Sequence, residues 1–297
     1  MTHTVPIWLA VLATGLAASL ASSRALGQAT QVHPPECAQQ TLVDVKMIQT
    51  KIILVGEIHG TREIPAFVSG LVCSLLRDGR SVILAIERDG TEQEGLNRYL
   101  ESDGAEADRT SLMEGERWKS KFQDGRASQA MLALIENMRQ WRRAGQRVGV
   151  LAMQLSGGLR VPMDEADNAF LTPSDSLLYS RINDSAMADN VLSTVVQYRR
   201  YTLVVLAGAR HTSTLPGSAG GGKHDPMGYL VSTREPSFTI GVSSGGGTAW
   251  NSGPKGYKEY ERDMGDMFIN GLKPDALVRL PKISGSPAAR PPSAGKL

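Results

Sequence analysis

The chain has 297 residues, with 32 basic against 30 acidic side chains and 5% aromatics. Balanced charge leaves no electrostatic footprint for nucleic acid, and so few aromatics disfavour a stacking platform for single strands. Its two cysteines, Cys37 and Cys73, have no metal-type spacing.

Residues 5–21, VPIWLAVLATGLAASLA, are apolar and uncharged, and Ala25 and Gly27 put small residues at −3 and −1 of a cut before Gln28. This predicts a secretory signal peptide over 1–27 and a periplasmic or secreted protein, although MTHT lacks Lys and Arg. At about 17 residues the stretch almost spans a bilayer, so an uncleaved anchor is the alternative. No other segment is long and apolar enough to cross a membrane. Residues 28–45 form an N-terminal arm that opens on a linker, QATQVHPPE. A single domain follows over 46–280. Residues 281–297, rich in Pro, Ala, Ser and Gly, bury too little apolar surface to offset ordering and predict a disordered tail.

Inside the domain, short β-branched runs alternate with amphipathic stretches. KIILVG (51–56) reads as a buried strand, followed by a helix over about 62–78. Ile64, Val68, Leu71 and Leu75 mark its apolar face, and Cys73 lies on another face. In an exported chain an even cysteine count predicts a Cys37–Cys73 bridge, pinning the arm over this helix. SVILAIE (81–87) is a second strand, and 91–101 a short helix. In 127–143, Met131, Leu134, Ile135 and Met138 follow the helical template. QRVGVLAM (146–153) is a third strand, followed by a long polar stretch over about 155–178. A helix over 179–199, the strand YTLVVLAG (201–208), a glycine-rich loop (215–226) and later strands at 237–244 and 276–280 complete the pattern. Continuous apolar strands alternating with helices predict an α/β fold, a mostly parallel central sheet with helices on both faces. Such sheets bind ligands beyond the C-terminal ends of their strands.

Those ends carry the chemistry. The first strand runs into Glu57 and His59, the second into Glu87 and Arg88, the third into Gln154, and the fourth into Gly208-Ala209-Arg210-His211. Buried carboxylates and imidazoles are costly unless paired. Each has a plain structural reading: Glu57 capping a helix, Glu87 pairing with Arg88 or Arg62, His59 and His211 as turn residues. Gathered on one sheet edge, Glu57, His59, Glu87 and His211 point to a shared site. Arg181 sits near a helix start, unfavourably to the dipole, which suggests a tertiary partner such as a carboxylate of the site. His33 and His224 fall in flexible stretches and read as solvated. No P-loop, dinucleotide fingerprint or G-x-S-x-G elbow is present.

LVGEIHGTREIPAF, LAIE, SRINDSAMADN and VLAGARH together resemble the erythromycin-esterase/ChaN-like group (EreA/ChaN-like) of the Tiki/TraB superfamily, over about residues 50–212. The resemblance implies an α/β fold with two Gly-x-x-His motifs, a glutamate ending the second strand and a helical arginine, here Glu57, His59, Glu87, Arg181 and His211. It also implies an acidic residue where Gln154 stands. One branch hydrolyses esters with a histidine base, another is a metal-dependent protease, and the ChaN branch binds haem. The reading favoured is a hydrolase of a small-molecule or peptide ester or amide. His59 would deprotonate water, Glu57 or Glu87 would set its tautomer, and His211 with Arg181 would stabilise the oxyanion. In a metal variant Glu57, His59, Glu87 and His211 would hold Mn or Zn. The rival readings are a haem- or iron-compound-binding protein with a His or Tyr ligand, and a non-catalytic binding protein on the same fold.

Overall fold

The computed structural model describes residues 37, 42–120, 123–155, 173–219, 221–253, 256–261 and 274–290. The signal peptide (1–27) and linker (28–36) expectations lie outside the described residues, as does most of the polar stretch after the third strand. Among the described residues no helix is long and apolar enough to cross a membrane.

Six strands form one parallel sheet: β1 (Ile52–Glu57), β2 (Ser81–Asp89), β3 (Val148–Gln154), β4 (Tyr201–Gly208), β5 (Ser237–Ser244) and β8 (Ala276–Leu280). Their order is β3-β2-β4-β1-β5-β8. β6 (Thr248–Gly253) and β7 (Gly256–Glu261) form a separate antiparallel hairpin. The helices are α1 (Glu63–Arg77), α2 (Gln93–Glu101), α3 (Glu106–Leu112), α4 (Glu116–Lys119), α5 (Gln129–Arg143), α6 (Pro173–Gln197) and α7 (Met227–Ser232).

The two-residue period of a strand sends alternate side chains to opposite faces. Ile53 and Val55 of β1 join a core with Val68 and Leu71 of α1, Leu96 of α2 and Leu134 of α5. Ile52 and Leu54 join a second core with Met187 and Val191 of α6 and Met227 of α7. Both faces of the sheet are therefore covered, and its central strands have no face left for an alternating polar residue. The Cys37–Cys73 bridge is present and ties the arm to α1.

Residues 281–290, expected within a disordered tail, are instead bound to the fold. Ser286 N donates to Gly60 O at 2.7 Å, Ser284 N to Glu63 Oε2 at 2.8 Å, and Gln129 N to Pro287 O at 2.9 Å. Ala130 N donates to Ser286 Oγ at 3.0 Å, and Ile283 is 1% exposed. The first N–H groups of α5 have no partner inside the helix, and this segment supplies acceptors. Composition misleads here because the segment is held through backbone groups and hydroxyls, and buries only Ile283 as a bulky apolar side chain. Residues 291–297 lie outside the described residues.

Candidate functional site

The register brings the strand ends level. Glu57 of β1 lies opposite Gly208 of β4, and Ile86 of β2 opposite Leu206. β2 also shifts register against β3 between Ile86 and Asp89. Such a bulge re-aims side chains, here at Glu87 and Arg88, which are 4% and 1% exposed. The two glycines of the Gly-x-x-His motifs make room for each other's turns. A Cβ on Gly208 would stand 3.1 Å from His59 Nε2, and one on Gly56 would stand 2.8 Å from Thr212 Oγ1.

Four of the five expected residues meet at this edge. His59 Nδ1 donates to Glu57 Oε1 at 2.9 Å, and His59 Nε2 lies 3.3 Å from Glu87 Oε2. His211 Nε2 lies 3.8 Å from Glu87 Oε1. Gly208 N donates to Glu87 Oε2 at 3.0 Å, and Gln154 Nε2 donates to Glu87 Oε1 at 3.3 Å. The neutral Gln154 therefore serves as a donor to the central carboxylate. The fifth residue, Arg181, is not brought in. It is exposed on α6, and no ion pair or hydrogen bond among the described residues ties it to the cluster. It lies on the solvent side of α6, and its place in the charge balance is filled by Arg126.

Arg126 Nη1 donates to Glu87 Oε1 at 2.5 Å, and its Nε donates to Asp124 Oδ2 at 3.0 Å. Glu87 thus pairs with Arg126, not with Arg88 or Arg62. Arg88 pairs with Glu92 at 2.5 Å and lies 4.1 Å from the centre of the Trp118 ring. Arg62 Nε donates to Gly285 O at 2.8 Å. Asp184 of α6 is fully buried. It accepts from His211 Nδ1 at 2.7 Å, His224 Nε2 at 2.8 Å and Met227 N at 3.0 Å. His224, read as solvated, is buried. Asp184 had a signal in the sequence: it stands three residues before Met187 on the helix's apolar stripe, and an acid there needs a buried partner. Arg126 had none, since 118–125 shows no periodicity.

The two histidines differ electrostatically. Burial disfavours a charged His59, but Glu87 and Glu57 outweigh it and raise its pKa from 6.5 to about 10. His211 is also raised: burial opposes, while its hydrogen bond to Asp184 and the charge of Glu87 prevail. Burial would raise Glu87, yet Arg126 and His59 hold it well below the usual carboxylate range. Burial lowers Arg88 to about 10, against the pull of Glu92.

The donor set does not fit a divalent cation. Glu87 is committed to the Arg126 guanidinium, and both nitrogens of His59 face carboxylates, so a metal would have to displace a cation already paired there. Among the described residues no group of three or more His, Cys, Asp or Glu side chains is placed to hold a metal ion. The open ring nitrogen, His211 Nε2, lies 3.8 Å from Glu87 Oε1 and also feels the charge of His59, polar surroundings for a porphyrin, which is held mainly by apolar walls.

No family model matches the chain. No curated protein matches it. Solved structures do. A Bacillus cereus protein has a TM-score of 0.58 at 12% identity, over 86% of this chain and 96% of its own. A mutant of erythromycin esterase EreC in its open conformation has a TM-score of 0.56 at 12% identity, over 78% and 81%. A succinoglycan biosynthesis protein has a TM-score of 0.55 at 14% identity, over 82% and 91%. At these identities the likeness carries the fold, and the chemistry must be argued from the site.

Proposed function

We propose that this chain, built on the fold seen in erythromycin esterase EreC, is an exported hydrolase that cleaves an ester or amide bond with water activated by His211. The observation that carries this reading is the Asp184–His211 pair. Asp184 accepts a hydrogen bond from His211 Nδ1–H at 2.7 Å, which directs Nε2 outward as the free ring nitrogen, in a side chain 23% exposed at the strand-end edge. That is the geometry of an oriented general base.

His59 cannot share this role, because two carboxylates keep it protonated at neutral pH. It and Arg126 instead supply positive charge for the developing oxyanion. This exchanges the roles expected from sequence for His59 and His211, and puts Arg126 in place of Arg181. In the reaction, His211 Nε2 removes a proton from water, and the water oxygen adds to the carbonyl carbon. The resulting oxyanion is held by the cationic groups. Its collapse breaks the bond to the leaving group, which takes the proton from His211. Glu57 orients His59, and Glu87 holds His59 and Arg126 together. Substrates are small-molecule or peptide acyl compounds. The signal peptide expected over 1–27 supports a periplasmic or secreted location.

The test is turnover of a panel of 4-nitrophenyl esters and aliphatic lactones by the purified chain without added metal. The expected result is hydrolysis of at least one member, lost in His211→Ala with the fold intact. No turnover across the panel, or equal turnover by the mutant, overturns the proposal.

A further inference from the structure

The glycine-rich loop after β4 has so far no part in the reaction, yet it carries His224 into the interior. Gly217, Gly221 and Gly222 adopt left-handed backbone conformations, φ 64°, 71° and 88°, which residues with side chains rarely tolerate. These turns fold the loop back on itself: Ala219 N donates to His224 O at 3.1 Å, and Gly217 N to Asp225 Oδ1 at 2.7 Å. The His224 side chain ends 4% exposed, against the fully buried Asp184.

We propose that His224 is a positioning residue for the water-activating histidine, fixing the Asp184 carboxylate in the one rotation that holds His211. The inference rests on the hydrolase reading for its functional meaning. A carboxylate group turns easily about its terminal torsion, which has no sharp staggered minima. Here Asp184 Oδ1 accepts from both His211 Nδ1 and Met227 N, and Oδ2 accepts from His224 Nε2 at 2.8 Å. Without His224, Oδ2 would lose its donor at 2.8 Å.

The other ring nitrogen shows that packing alone does not explain the residue. His224 Nδ1 is buried with no hydrogen-bond partner among the described residues. An unpaired buried polar atom costs roughly 1–3 kcal/mol, which an apolar side chain of similar size would not incur. What the ring contributes is its Nε2–H, and the tautomer with a bare Nδ1 is the one that donates to Asp184. The groups facing His211 are Asp184 from α6, Glu87 from β2 and His59 beyond β1. His224 reaches it only through Asp184.

The experiment is an NMR titration of the His211 ring in the full chain, as wild type, His224→Met and His224→Gln. Met fills the space without a donor, and Gln keeps one. His224→Met is expected to lower the His211 pKa by at least ~0.5 units, because the Asp184 hydrogen bond that raises it loosens. His224→Gln is expected to restore most of that shift. An unchanged pKa in the Met variant overturns the proposal. A rise also overturns it, since that would mean His224 only draws charge from Asp184. Should the Met variant fail to fold, His224→Asn, one methylene too short to reach, replaces it with the same expectations. The titration uses no substrate, so its outcome is separate from whether the site hydrolyses an ester.

Discussion

The protein contains the same four-residue motif twice, and the two copies end in different electrostatic settings. Gly56–His59 places its imidazole between Glu57 and Glu87, with both ring nitrogens facing carboxylates. Gly208–His211 ties one nitrogen to buried Asp184 and leaves the other 3.8 Å from the nearest carboxylate oxygen. The motif fixes where each ring sits on the sheet edge. Glu57 within the first copy, with Glu87 of β2 and Asp184 of α6, sets the electrostatic surroundings of each ring. The shared Gly and His therefore place two rings on either side of Glu87, while the differing residues between them, Glu57 in one copy and Ala209 in the other, help to set them apart.

The sharpest way to break this comparison is to remove each ring. His211→Ala is expected to lower kcat by ~10²–10⁴-fold, the usual contribution of a general base, and to erase the acid limb of the pH–rate profile. His59→Gln removes a positive charge beside the developing oxyanion and is expected to cost about 10²-fold, with the acid limb kept. Steady-state rates from pH 5 to 10 on an ester that the wild type turns over check both. Loss of the acid limb in His59→Gln instead would reverse the assignment.

Next in size is the shared carboxylate. Glu87→Gln leaves Arg126 and His59 less compensated in a buried site, and removing one partner of a buried pair costs ~3–5 kcal/mol. Urea unfolding at pH 7 measures it, and a change below about 1 kcal/mol would remove Glu87 from the centre of the account.

A pH series on stability separates the rings further. The His59 pKa rises from 6.5 unfolded to about 10 folded. Its stabilising contribution is therefore fully present below about 6.5 and is lost as pH rises through about 10. The wild-type urea midpoint should fall more steeply between pH 7 and 10 than that of His59→Gln, and parallel curves would contradict this. On the other side, Asp184→Asn should shift the acid limb of activity to lower pH, because it removes the partner that raises His211. Smaller still is Ser286→Ala, which takes an acceptor from the start of α5 and should cost about 1 kcal/mol. The smallest expected effect is that of Arg181→Ala, with rates within about twofold of wild type, since exposed side chains away from the reacting groups contribute little.

Much of this site was legible because its residues end apolar runs. Glu57, Glu87 and His211 each follow a buried strand, and a parallel sheet places such ends together. What stayed hidden depends on contacts across the chain. Arg126 lies between α4 and α5, outside any periodic stretch, and is defined only by meeting Glu87, 39 residues away. Arg181 drew attention through the helix dipole, but the helix turns Asp184, not Arg181, towards the sheet. The β6–β7 hairpin lies between the two later strands, where the sequence pattern predicts no strand. There Thr248 pairs with Glu259 across the strands, and Gly60 O accepts from Trp250 N at 2.9 Å. Residues 281–290 were hidden for a related reason: backbone hydrogen bonds hold them, and composition does not register those.

The central claim is that the two rings of the repeated motif hold their protons differently. The direct measurement is ¹⁵N NMR of both imidazoles from pH 5 to 10.5 in the ligand-free protein. His211 is expected to lose its proton before His59, which keeps both ring protons until about pH 10. A neutral His59 ring at pH 7, or one that deprotonates before His211, would contradict it.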